Sequence, residues 1–157
     1  MVIKDQKITI QKARVRDVEE IYELIKMYAE QGLLLPRTRE SLFENLQAIS
    51  VAVVDGQVVG AASLHILAKQ LAEIRSLVVR EDAKGCGVGK MLVQQIVEET
   101  KRMEVEKLIS LTYQVPFFEK CGFRVIEKVD MPQKVWKDCL HCPKFPNCDE
   151  IAMAITF

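Results

Sequence analysis

No apolar run in this chain approaches the roughly 20 residues needed to span a bilayer, so no membrane partner is expected. Net charge is missing too, with 22 Lys and Arg against 22 Asp and Glu. That balance argues against a dominant electrostatic footprint for nucleic acid. The start, Met1-Val2-Ile3-Lys4-Asp5, lacks the form of a secretory signal. Five cysteines, an odd number, without such a signal point to a reducing cytoplasm. Internal repeats, low-complexity tracts and linkers are absent as well, so residues 1–157 read as one domain. A chain of this length buries a sizeable core without staples.

Glycine is sparse, seven residues in all, yet three of the seven are Gly85, Gly87 and Gly89. They follow an apolar segment of strand composition ending at Val79 and precede Val88-x3-Leu92-x3-Ile96-Val97, apolar at helical spacing. A glycine-rich turn lets bare backbone approach a ligand, and a helix start adds unpaired N–H groups with partial positive charge. Together these form an anion site suited to phosphate. A P-loop would need glycine at 84 and Ser or Thr at 91, where the chain has Lys84 and Met91. A dinucleotide fingerprint would need glycine at 90, where the chain has Lys90. What remains is a basic residue followed by two spaced glycines, Lys84-x-x-Gly87-x-Gly89.

Around this loop the pattern predicts a strand over 7–13, then a helix with Asp17 as N-cap and Glu20 as its capping-box partner. Val18, Ile21, Leu24, Ile25 and Tyr28 would form its buried stripe, and Gly32 its stop. Pro36 makes 33–37 a loop, and Thr38 caps a second helix carrying Leu42, Leu46 and Ile49. Strands over 50–54 and 57–67 flank an Asp55-Gly56 hairpin turn. A turn at 68–70 leads into a strand over 71–79. The helix after the glycine loop is expected over 88–103, followed by a strand at 107–112 and a helix at 115–121. Strands at 123–127 and 151–156 close the order β-α-α-β-β-β-α-β-α-β-β. Along the strand over 71–79, Leu71, Glu73, Arg75, Leu77 and Val79 would share one face. A three-residue turn pairing Leu67 with Leu71 would set His65 opposite Glu73.

Lys84-x-x-Gly87-x-Gly89 resembles the pyrophosphate loop of the GNAT acyl-CoA N-acetyltransferases, with Lys84 where Gln or Arg is usual. Leu77-x-Val79 before it and Phe117-Phe118-Glu119-Lys120-Cys121-Gly122-Phe123 after it extend the resemblance over roughly 8–127, plus the last strand. The resemblance implies an α/β (α+β) fold, a mixed central sheet of six to seven strands flanked by about four helices. It implies acetyl-CoA as co-substrate, held by Leu77, Val78, Val79, Lys84, Gly85, Cys86, Gly87, Val88, Gly89, Lys90 and Phe118. A backbone N–H near Leu77 or Val78 would polarise the thioester carbonyl. Glu73 matches the general base of several members, acting through water on an ammonium that must lose its proton before attack. Read from the residues alone, Glu73 serves equally as a structural partner of Arg75 or His65. Phe118 stands where the family often has an acid tyrosine, so no general acid is assigned.

Tyr28-x3-Gly32-Leu33-Leu34-Leu35-Pro36-Arg37 and Glu73-Ile74-Arg75 further resemble the acetyltransferase domains of N-acetylglutamate synthases, in particular the short standalone bacterial type. Leu111-Thr112 followed by Phe117-Phe118-Glu119 resembles them too. That implies acetylation of a small amino acid's α-amine, glutamate above all, within arginine biosynthesis. Arg37 would grip a carboxylate, planar and always charged, or else stand as a solvated loop charge. Arg75 and Lys69 would complete a basic pocket, and His65 line the substrate or serve structure. Asn147-Cys148-Asp149-Glu150 departs from the basic and hydroxyl residues that full-length synthases carry before the final strand.

Residues 130–149 form a Cys- and Pro-rich insertion, with a helical turn expected at 133–138. Cys139, Cys142 and Cys148 with His141 leave open a metal site, a redox role or a packed flap; one C-x2-C and a crowded histidine favour no metal. Two further classes stay open. One is an acetyltransferase for another small amine or a protein lysine; the other is a CoA- or metal-binding regulatory module without turnover. The oligomeric state is open between monomer and homodimer.

Overall fold

The computed structural model describes residues 6–128 and 150–157. Its elements are β1 (Thr9–Lys12), α1 (Val18–Glu30), α2 (Arg39–Glu44), β2 (Ile49–Val54), β3 (Gln57–Ala68), β4 (Leu71–Val79) and α3 (Val88–Arg102). Then follow β5 (Lys107–Thr112), α4 (Val115–Lys120), β6 (Arg124–Val125) and β7 (Ile151–Thr156). The element order is the one predicted, and the strands form a mixed seven-stranded sheet, β1-β2-β3-β4-β5-β7-β6. Among the described residues no helix is long and apolar enough to cross a membrane. The chain divides into two compact units, Met1–Leu64 with Ile74–Glu98, and His65–Glu73 with Glu99–Phe157.

In the first unit β1, β2 and β3 pair antiparallel, and the Asp55-Gly56 turn has both residues left-handed, at φ 50 and 76. That is the backbone of a two-residue hairpin whose twist matches its strands. α1 buries Val18, Ile21, Leu24 and Ile25 against Leu42 of α2, Val51 of β2, Val58 and Ala61 of β3, and Val78 of β4. Each such aliphatic side chain contributes about 1.5–3 kcal/mol on burial. The helix stops as predicted at Gly32, φ 73, where the Gly32 and Leu33 N–H groups return to the Ala29 and Tyr28 carbonyls.

The start of α1 differs from expectation. Asp17 is helical and turns its carboxylate back to the Arg14 N–H, 2.7 Å away. A short 3-10 turn over Val15–Asp17 thus leads into α1, and Glu20 is not a capping partner. Its carboxylate accepts the Val58 N–H at 2.9 Å, tying α1 to β3. Thr38 does cap α2, accepting from the Ser41 N–H at 3.0 Å. That helix ends at Glu44, and Ile49, expected on it, begins β2.

The second unit holds the first residues of β4, paired in parallel with β5 from Leu71↔Lys107 to Glu73↔Ile109. β7 runs antiparallel to β5 over its whole length and carries β6 on its other edge. Leu71, Ile109, Ala152 and Ala154 make its aliphatic core. α4 ends on Gly122, φ 96, with the Phe123 N–H reaching back to the Phe118 carbonyl. The strand expected over 123–127 is shorter, because pairing with β7 covers only Arg124 and Val125.

Candidate active site

Gly85 and Gly87 are both left-handed, at φ 81 and 84. An L side chain would be strained at either position, which accounts for glycine there. Between them Cys86 is half-buried, its N–H directed at the Ala83 carbonyl at 3.4 Å. The first bond of α3 joins the Met91 N–H to the Gly87 carbonyl, 3.0 Å. Val88, Gly89 and Lys90 therefore present N–H groups that have no carbonyl one turn back in the helix. The first turn of α3 has no acidic side chain, and its last turn carries Lys101 and Arg102. Charge thus complements the helix dipole at the C-terminus, and the N-terminus is left suited to an anion.

The loop's stem is fastened at several points. The Arg80 N–H donates to the Val59 carbonyl at 2.7 Å, while its guanidinium takes Asp82 at 2.6 and 3.0 Å and Gln57 at 3.1 Å. The Arg80 guanidinium holds the Asp82 carboxyl below its ordinary range. Ala83, wholly buried, seats the 3-10 turn Glu81–Ala83. Lys84 pairs with Glu81 at 2.9 Å, and its ammonium lies 5.2 Å from the Tyr28 ring centre. Glu81 first, then Tyr28, push the Lys84 pKa upward. The Tyr28 hydroxyl donates to the Val79 carbonyl at 2.6 Å.

One residue that places this loop escaped sequence reasoning. Gly60, in β3, has a backbone any residue can adopt, so no turn signal marks it. A Cβ there would lie 2.8 Å from Val88 Cγ1, 3.0 Å from the Val78 carbonyl oxygen and 3.1 Å from Leu92 Cδ1. Its missing side chain lets the first turn of α3 rest on β3 and β4. An isolated glycine inside a strand pattern was the available signal, since it marks close approach of backbone.

β4 carries the candidate acceptor side. Ser76 is left-handed at φ 54, a rare conformation for serine. The extended backbone is interrupted there, so the unbroken face expected from Glu73 to Leu77 and Val79 does not exist. Arg75, Leu77 and Val79 are half-buried, and Val78 is buried in the α1 core. Arg37, from the loop after α1, donates from Nε to the Ser76 hydroxyl at 3.4 Å. The Arg75 carbonyl accepts the Ser63 hydroxyl at 3.0 Å. Arg39 has a different role: it forks onto Glu19 at 2.7–3.0 Å and stacks over Tyr22 at 4.0 Å.

In the second unit Glu73 is buried at the last pair of the β4–β5 ladder, and His65 is half-buried on β3. Lys69 and Gln70 alone separate β3 from β4. Lys69 is exposed within that connection. Phe118 is 3% exposed, its ring edge-on to Phe117 and Phe123 at 5.1 Å each. Cys139, His141, Cys142 and Cys148, with the helical turn expected at 133–138, lie outside the described residues. Among the described residues no group of three His, Cys, Asp or Glu side chains could hold a metal.

Comparison with known proteins bears on this loop and fold directly. The model of the acetyltransferase (GNAT) family matches residues 15–123. An uncharacterised N-acetyltransferase of Chlorobaculum tepidum is 37% identical over 147 residues, 94% of this chain and 95% of that protein. An amino-acid acetyltransferase of Mycobacterium tuberculosis is 30% identical over 138 residues, 86% of this chain and 79% of the relative. The N-acetylglutamate synthase of Neisseria gonorrhoeae, solved with coenzyme A and N-acetyl-glutamate, matches at TM-score 0.87 and 26% identity, covering 98% of this chain and 36% of its own. The chain belongs to the acetyltransferase (GNAT) family, N-acetyltransferases whose co-substrate is acetyl-CoA.

Proposed function

We propose that the enzyme acetylates the α-amine of a small amino acid, glutamate first, by direct transfer from acetyl-CoA. The observation that carries this is Arg37 bonded to Ser76, which sets a guanidinium beside β4 at the residue that follows Arg75 in the chain, on the strand that leads into the glycine loop. A dicarboxylate needs two cationic or backbone-donor sites flanking the thioester, and these two arginines supply them. The similarity to an amino-acid acetyltransferase and to an N-acetylglutamate synthase supports the same acceptor.

In this reading the backbone of Cys86 to Lys90 holds the coenzyme's pyrophosphate, chiefly through the N–H groups of Val88, Gly89 and Lys90, with Lys84 just before it in the chain as the cation. The backbone N–H of Leu77 or Val78 polarises the acetyl carbonyl as charge builds on its oxygen. Glu73 accepts, through water, the proton that leaves the substrate ammonium. The free amine attacks the carbonyl carbon, the carbon–sulfur bond breaks, the thiolate departs with the bonding electron pair, and the extra proton on the new amide nitrogen passes to solvent water. The thiolate is a good enough leaving group to need no acid, in keeping with Phe118 at the position of the acid. The setting we assign is the cytoplasm and arginine biosynthesis.

Thiol release from acetyl-CoA, measured across amino acids, polyamines and lysine peptides, tests this. Glutamate is expected to lead the panel. Leucine or glutamine turning over equally well would remove the second carboxylate site, and no turnover with any acceptor would favour a regulatory module.

A further inference from the structure

Tyr28 has no part in the acetyl transfer described above, yet it touches the coenzyme loop twice. Its hydroxyl donates to the carbonyl of Val79, the last residue of β4, at 2.6 Å. The face of its ring lies under the Lys84 ammonium, 5.2 Å from the centroid. Its own backbone is also fixed, because the Tyr28 carbonyl accepts the Leu33 and Gln31 N–H groups where α1 ends. The side chain therefore projects from a rigid post.

We infer that Tyr28 is a positioning residue for the pyrophosphate loop, pinning the end of β4 and steering Lys84 over the anion. This rests on the reading of Cys86 to Lys90 as the pyrophosphate cradle. The physical reasons are two. A lysine stem has four rotatable carbons and loses much rotamer freedom when one position is demanded of it. An aromatic face offers the ammonium a broad attraction that narrows its arc. Glu81, the ammonium's ion-pair partner at 2.9 Å, is largely exposed, as is Lys84 itself. A surface pair of that kind is weak, so a pyrophosphate of higher charge can displace the carboxylate while the ring keeps its place. The second reason concerns the backbone. Arg80 follows Val79 directly, and its N–H is bonded to the Val59 carbonyl at 2.7 Å. With Val79 held from α1 and Arg80 held from β3, the loop starts from a fixed point.

The test compares acetyl-CoA with S-acetylpantetheine, a thioester lacking the nucleotide pyrophosphate, as the ratio of kcat/KM for the two. Wild type should favour acetyl-CoA strongly. Tyr28→Phe keeps the ring and loses the hydroxyl, and should lower the ratio about threefold. Tyr28→Leu loses both, and should lower it about tenfold, with S-acetylpantetheine turnover nearly unchanged. In a Lys84→Met background, Tyr28→Leu should lower the ratio no further than Tyr28→Phe does. If the Tyr28 variants depress both thioesters alike, the residue is merely structural and the inference fails. If wild type uses the two thioesters equally well, the pyrophosphate cradle itself fails, and the inference with it. Should Tyr28→Leu not fold, the Tyr28→Phe ratio alone decides.

Discussion

Arg37 Nε lies 3.4 Å from the hydroxyl of Ser76, which joins the loop after α1 to the one left-handed residue of β4. The bond sets the guanidinium beside the strand that leads to the coenzyme loop. Arg37→Ala and Arg75→Ala should each raise KM for glutamate by a factor matching about 1.5–3 kcal/mol, as for a charge-assisted hydrogen bond. Ser76→Ala should cost less, about 0.5–1.5 kcal/mol, since it loses a neutral acceptor and leaves the charge in place. KM for acetyl-CoA should stay constant in all three. A parallel rise in both Michaelis constants would point to damage to the fold instead.

Gly87 makes a different demand. A Cβ built there meets nothing within 4 Å, so the fold has room for it. What it lacks is a relaxed backbone, since φ is +84. Gly87→Val should cost roughly 1–3 kcal/mol of stability through strain and should also weaken CoA binding by filling the approach to the N–H groups. Unchanged CoA affinity in a folded Gly87→Val protein would falsify the cradle.

At Gly60 the space itself is missing. The Val78 carbonyl oxygen, 3.0 Å from an added Cβ, is backbone and cannot swing away. Gly60→Ala should destabilise by about 1–3 kcal/mol as overpacking does, seen as a lower urea midpoint. Because α3 must lift off the sheet, CoA affinity should fall as well.

Glu73→Gln removes the proposed base and keeps the shape. The rate should drop more at neutral pH than at pH 9 or above, where the substrate amine begins to lose its proton unaided. A loss equal at every pH would make Glu73 a structural carboxylate.

The Asp82 carboxyl, depressed by Arg80, links the loop stem to pH. A folded-state value below the unfolded one means that the pair's stabilisation is fully present above the unfolded value. It is lost as pH falls through the folded value. The carboxyl resonance of Asp82 should therefore titrate below the usual aspartate range, and Arg80→Ala should return it there.

The sequence by itself determined the elements whose causes are local. Period-3.6 apolar stripes gave α1 and α3, Asp55-Gly56 gave the hairpin, and Gly32 and Gly122 gave the helix ends, because each depends on dihedral and burial preferences within a few residues. The glycine loop was legible for the same reason. The tertiary structure decided what depends on partners distant in the chain. Glu20 left its expected cap because the Val58 N–H, 38 residues on, needed an acceptor. Arg39 went to Glu19 and Arg37 to Ser76, a distinction that two arginines two residues apart cannot express in sequence. The left-handed turn at Ser76 has no glycine to announce it, so the break in the alternation of β4 was invisible. Gly60 and Tyr28 matter only because α3 packs on the sheet and because α1 ends beside the start of the loop. Contacts of that kind are set by the whole fold, and a local pattern carries no record of them.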